Sequence, residues 1–155
     1  MKIAIIAVGR LGRAPEAGLA RDYAERATAA GRALGLGPVE LIEVEARKPG
    51  KPAEGEAIVA HLTPGDRLIA CDEHGAARAS RDFAGRLAAL RDQGTRRLVL
   101  VIGGADGLDQ SLLVRADETL AFGPQTWPHA LARVMLAEQV YRAVTILAGT
   151  PYHRD

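Results

Sequence analysis

Hydrophobic positions along this chain fall into short unbroken runs separated by longer stretches at helical spacing. Lys2 to Val8 is an isoleucine-rich apolar run that stops at Gly9-Arg10-Leu11-Gly12-Arg13, which predicts a buried strand and a loop. Pro15 suits the first turn of a helix, and Ala17, Leu19, Ala20, Tyr23, Ala24, Ala27 and Ala30 keep helical spacing up to Leu34-Gly35. Val39 to Val44 alternates apolar residues with Glu40 and Glu43, the pattern of a strand with one wetter face. Arg47 to Pro52 reads as a basic, mobile loop, Ala53 to Leu62 as a short helix, and Arg67 to Asp72 as a third strand. Ser80 is placed as the cap of the next helix, in which Phe83, Leu87, Ala88 and Leu90 form the buried stripe before Gly94.

The strongest signal follows. Leu98-Val99-Leu100-Val101-Ile102 runs directly into Gly103, Gly104 and Gly107. An apolar run of this kind suits a strand covered on both faces, as in a parallel sheet, and ligands bind at the carboxyl ends of such strands. Glycines there let the backbone bend sharply or lie against a ligand. Asp109 is a cap for a helix carrying Leu112, Leu113 and Val114, and Glu118 to Phe122 is a fifth strand. Gly123-Pro124-Gln125-Thr126-Trp127-Pro128 forms a second loop at the same sheet edge, and His129 to Leu147 is a long helix that Gly149 ends. Its apolar residues cover more than one stripe, which predicts packing on its own sheet and on a second subunit. The fold class expected is α/β, one domain over residues 1–155 with a mostly parallel sheet flanked by helices.

Composition narrows the function. With 48% apolar and 25% charged residues and a net charge of +1, the chain is an ordinary globule without the strong basic excess of a nucleic-acid coat. Any RNA partner is therefore gripped locally; Arg10, Arg13, Arg47, Lys48 and Lys51 are the candidates. The lone Cys71 forms no internal disulfide and the chain offers no metal-ligand cluster, so a cytosolic protein is expected, with no membrane span and no metal. Ala7-Val8-Gly9-Arg10-Leu11-Gly12 is a weak likeness of a dinucleotide-binding fingerprint, and Pro15 postpones the helix that the fingerprint requires. A nicotinamide-dependent oxidoreductase is kept as an alternative on that basis.

Several segments together carry a more specific likeness. These are Val101-Ile102-Gly103-Gly104-Ala105-Asp106-Gly107-Leu108, Trp127-Pro128-His129, Leu131-Ala132-Arg133-Val134, Glu138-Gln139-Val140-Tyr141-Arg142-Ala143 and Pro151-Tyr152-His153-Arg154-Asp155. They resemble the RlmH family, SPOUT-class methyltransferases that methylate a pseudouridine at N3 in large-subunit (23S) ribosomal RNA. The resemblance implies a homodimer acting on the ribosome, a carboxyl-terminal trefoil knot, and S-adenosylmethionine as the methyl donor. It implies that three loops hold the donor: Cys71-Asp72, Gly103-Gly104, and the run Phe122, Gly123, Pro124, Gln125, Thr126 and Trp127. It further implies a catalytic set of Arg142, Tyr152, His153 and Arg154, with the tail completing the neighbouring subunit's site. There His153 is the expected proton acceptor, Arg142 and Arg154 would hold phosphate or developing charge, and Tyr152 would stack on a base.

Plainer readings stand beside these. His129 in the first turn of a helix reads as structural, Glu138 and Arg142 as a helix ion pair, Cys71 as a small buried hydrophobe, and His61 and His74 as without a role. A ribosome-associated factor that keeps the fold without catalysis is the alternative from another class.

Overall fold

The computed structural model describes residues 1–154. Its elements are β1 (Lys2–Val8), α1 (Pro15–Gly31) with a 3-10 turn (Arg32–Leu34), β2 (Val39–Val44), α2 (Lys51–Val59), β3 (Arg67–Ala77), α3 (Ser80–Asp92), β4 (Arg97–Ile102), α4 (Gln110–Arg115), β5 (Glu118–Ala121) and α5 (His129–Ala148). The strands form one sheet in the order β2-β1-β4-β3-β5, and each neighbouring pair is parallel.

Period-two side-chain alternation divides the central strands between two cores. Ile3, Ile5, Leu98, Leu100 and Ile69 face α1, α3 and α5, where Phe83, Leu87, Leu136 and Val140 meet them. Ala4, Ile6, Val99, Val101 and Ala70 face Ile58 of α2 and Leu112 of α4. Both faces of β1 and β4 are therefore covered, which is why their sequences read as continuous apolar runs. Asp109 caps α4 as expected: its Oδ1 accepts the Ser111 amide at 2.9 Å.

Four elements differ from the sequence reading. Lys51 and Pro52 open α2 rather than closing a loop, because a first-turn proline lacks only a hydrogen bond that the helix end never makes; α2 also stops earlier, at Val59. β3 runs on past Asp72 to Ala77, through an irregularity at which Leu120 of β5 partners both Cys71 and Ala76. Ser80 does not cap α3; Ala79 holds that position, and the Ser80 hydroxyl donates to Gln139 Oε1 at 2.8 Å, tying α3 to α5. β5 ends at Ala121, so Phe122 already belongs to the loop.

The chain leaves β5 at the sheet's edge and returns as α5, which packs against α1, α3, β1 and β4. Arg133, Val134, Leu136, Ala137, Val140, Ala143, Val144 and Thr145 are its buried side, while Leu131 stays 41% exposed. Among the described residues no helix is long and apolar enough to cross a membrane, and no three ligating side chains converge on a metal position.

Candidate active site

The middle of β3 and the carboxyl ends of β4 and β5 open onto one cavity of about 570 Å³. Cys71 and Asp72 come from β3, Gly103 and Gly104 from the loop after β4, and Phe122, Gly123, Gln125, Thr126 and Trp127 from the loop after β5. All three segments expected from the sequence meet here; Pro124 belongs to the same loop but not to the wall. His129, Lys51 and Gln110 complete it from α5, α2 and α4.

The glycines are fixed by what surrounds them. A β-carbon on Gly103 would stand 2.5 Å from the carbonyl carbon and oxygen of Gly107, so the turn closes only without a side chain. The Gly107 amide donates back to the Gly104 carbonyl at 3.1 Å. Gly104 is crowded differently: its β-carbon would meet both carboxylate oxygens of Glu54, on α2, at 2.9 Å. The second loop is tethered by Thr126, whose hydroxyl donates to Glu73 Oε2 at 2.9 Å. The cavity is thus bounded by backbone held in place on two sides, the preorganisation that lowers the ordering cost of binding.

Cys71 lines this wall, yet burial pushes its thiol up from 9.0 to about 12, and the neighbouring Asp72 carboxylate adds to the effect. The thiol form is therefore retained across the neutral range. Two consequences follow from the sign of the shift. Alkylation by iodoacetamide at pH 8 is expected to run at least about tenfold slower in the folded protein than in urea, followed by mass spectrometry. Because the folded state holds this proton more tightly, the stability it contributes is complete below pH 9 and is lost as pH rises toward 12. A pH series of thermal melts on the native protein and Cys71→Ala checks it: the native protein should lose the larger share of its stability on the alkaline side.

The expected catalytic set lies elsewhere in the same chain. Tyr152 donates its hydroxyl to Glu138 Oε1 at 3.0 Å, and Arg142 grips the same oxygen through Nε at 2.9 Å and Nη2 at 2.5 Å. Glu138 holds the Arg142 guanidinium above its usual range, and burial, then hydrogen bonds to Tyr23 and Glu138, push the Tyr152 phenol up. The Tyr152 ring meets Tyr141 edge-on at 4.6 Å, and the guanidinium of Arg26 lies over the Tyr141 ring at 4.3 Å. Arg142 Nη1 is 3.2 Å from Nδ1 of His153. A guanidinium only donates, so Nδ1 accepts, and its lone pair is already engaged in this arrangement.

Neither Tyr152, His153 nor Arg154 lines the cavity of its own chain; Arg142 and Glu138 border a neighbouring groove that shares Leu120, Phe122 and Gly123 with it. Asp155 lies outside the described residues.

Comparison with known proteins decides the family. Residues 1–153 match the family model described as "Predicted SPOUT methyltransferase". Over 155 residues and the full length of both chains, the protein is 69% identical to Ribosomal RNA large subunit methyltransferase H of Phenylobacterium zucineum. It is 70% identical to the protein of that name from Caulobacter sp. strain K31, also over both full lengths.

The chain belongs to the RlmH family of SPOUT methyltransferases.

A more distant relative, from Roseobacter denitrificans, is 54% identical over 156 residues and both full lengths. Among solved structures, a probable methyltransferase from Bordetella pertussis Tohama I is similar in fold, with a TM-score of 0.57 at 20% identity over 92% of this chain and 96% of that one.

Within this RlmH-family chain, two contributors to the site, Glu54 and Glu73, carried no sequence signal of their own. Glu54 reaches Gly104 and Glu73 reaches Thr126 only through tertiary packing. Arg133 is 2% exposed and spans Glu43 Oε1 at 2.7 Å and the carbonyls of Val8 and Gly9 at 3.1 and 3.0 Å. Burial pulls its pKa down and Glu43 works against that shift. Of the five candidate RNA-binding cations, Arg10 pairs with Glu45 at 3.2 Å and Lys51 faces the cavity.

Proposed function

We propose that the protein transfers a methyl group from S-adenosylmethionine to N3 of a pseudouridine in large-subunit ribosomal RNA, acting on the ribosome as a homodimer in the cytoplasm. The observation that carries the reading is the convergence of β3 and the loops after β4 and β5 on one cavity whose Gly103 admits no side chain. Residues 1–155 act as a single SPOUT domain, with a carboxyl-terminal trefoil knot by resemblance to the family.

The residues present fit the donor. Its extended, partly apolar body suits a wall in which Cys71, Leu120, Phe122 and Trp127 supply apolar surface and the backbone of Gly103, Gly104 and Gly123 supplies hydrogen-bonding groups at close range. Bound there, the sulfonium supplies an electrophilic methyl group, so the protein's work is alignment and proton removal. Thr126 and Glu73 hold the second loop against β3, and Glu54 holds the glycine turn from α2.

The tail supports a role across subunits. Glu138, Arg142, Tyr152 and His153 form a charged, aromatic cluster away from the chain's own cavity. Leu19 and Leu131 are 49% and 41% exposed, apolar surface suited to cover by a second copy. In that arrangement Arg154 and Arg142 hold RNA phosphate or developing charge, and Tyr152 stacks on a base.

The test is incubation of ribosomes lacking the modification with the protein and methyl-labelled S-adenosylmethionine, followed by nucleoside mass spectrometry. Labelled N3-methylpseudouridine from the large-subunit RNA is expected. Ribosome binding without label would support the non-catalytic reading instead.

A further inference from the structure

We infer that His129, at the start of α5, is the group that takes the ring-nitrogen proton during methyl transfer. The inference rests on the reading of the cavity as the methyl-donor site, and begins from which bases that cavity contains. Asp72 is occupied: its Oδ1 accepts the His74 amide at 2.9 Å and stands 3.3 Å from His74 Nδ1. Glu73 is occupied by Thr126, and Asp106 is an exposed carboxylate. Cys71 keeps its proton. His74 is paired with Asp72 and its side chain is 85% exposed. His129 remains: it lines the cavity half-buried, and its imidazole makes no hydrogen bond to any other described residue. Imidazole is the side-chain base that exchanges protons near neutral pH.

Two features hold the ring in place for this use. Arg133 is one helical turn further along α5, and its buried guanidinium clamps the Val8 and Gly9 carbonyls and Glu43. That clamp fixes the start of α5 to the carboxyl end of β1, making Arg133 a positioning residue. Gly9 sits at φ +87°, and its β-carbon position lies 3.8 Å from His129 Nε2, so the ring edge packs at van der Waals range beside the end of β1. His153 is not equivalent. Its Nδ1 is engaged by Arg142.

The step balances without a further reactant. The ring nitrogen forms its bond to the methyl carbon, the carbon–sulfur bond breaks with its electron pair staying on sulfur, and the nitrogen's proton passes to the His129 imidazole. Resolving the imidazolium requires only release of that proton to water after product leaves.

The experiment is single-turnover methyl transfer on ribosomes lacking the modification, from pH 6 to 9, with native protein, His129→Asn and His129→Ala, alongside calorimetric titration with S-adenosylmethionine. The charged groups that share the cavity are Lys51, Asp72, Glu73, His74 and Asp106, with the Arg133–Glu43 pair one turn along. Both variants are expected to bind the donor within about threefold of native and to transfer methyl about a hundredfold slower or worse. Across that range both variants should stay below native, and added imidazole should restore part of the His129→Ala rate, which a merely structural role would not allow. Native-like rates in either variant, or a loss of donor binding that matches the loss of rate, would overturn the inference. Failure of the native protein to bind the donor would overturn the cavity assignment and the inference together.

Discussion

Gly103→Val is expected to abolish measurable binding of S-adenosylmethionine, whereas Gly104→Ala should weaken it by about tenfold or less. The difference lies in what each added carbon meets. At Gly103 the obstacle is backbone, the Gly107 carbonyl at 2.5 Å and the Leu108 amide nitrogen at 2.8 Å. Relieving that clash means opening the turn that the Gly107 amide closes onto the Gly104 carbonyl, and with it the cavity wall. Overpacking where neighbours cannot yield costs about 1–3 kcal/mol before any effect on a ligand is counted. At Gly104 the obstacle is the end of the Glu54 side chain, which can rotate away. Glu54→Ala in the Gly104→Ala background should therefore recover affinity, while no substitution at Glu54 should rescue Gly103→Val. Titration calorimetry of the four variants measures this, with thermal melts to confirm that each is folded; equal losses at the two glycines would refute the distinction.

Removing Tyr152 to Asp155 is expected to leave donor affinity within about threefold and to lower methyl transfer by about a thousandfold or more, the scale of lost alignment at a reacting centre. Tyr152, His153 and Arg154 do not line the cavity of their own chain, so the donor site should survive the loss of the tail. What goes is the anchored cluster in which Tyr152 and Arg142 share Glu138 and Arg142 reaches His153. Glu138→Gln gives a finer probe. It keeps the helix and weakens the charge-assisted bonds that order the tail, so a smaller loss of rate with unchanged donor affinity is expected. If the truncated protein turns over at the native rate, the tail has no part in the chemistry.

Legibility of the fold followed burial. β1 and β4, covered on both faces, announced themselves as apolar runs, and Pro15, Asp109 and Gly149 marked helix ends through backbone requirements that operate locally. The second half of β3 did not, because Asp72, Glu73 and His74 lie at the cavity, where polar side chains replace the apolar pattern that identifies a strand. Ser80 had a cap's chemistry, yet a tertiary partner, Gln139, took its hydroxyl.

The site was legible where it depends on glycine. The pattern of Gly103, Gly104 and Gly107 after a buried strand pointed to the cavity without the structure. Glu54 against Gly104 and the buried Arg133 with Glu43 were illegible, since each joins residues far apart in sequence and looks like an ordinary surface charge in isolation. His129 was read as a structural first-turn residue, and only the shape of the cavity brings it to the wall.

The placement of the methyl donor is tested most directly by amide chemical-shift mapping during titration of isotope-labelled protein with S-adenosylmethionine. The account predicts saturable shifts centred on Gly103, Gly104, Phe122, Gly123, Gln125 and Thr126, with little change at Gly12 in the first loop. Shifts centred on Gly9 to Gly12 with the glycine turn unmoved, or no saturable change at all, would contradict it.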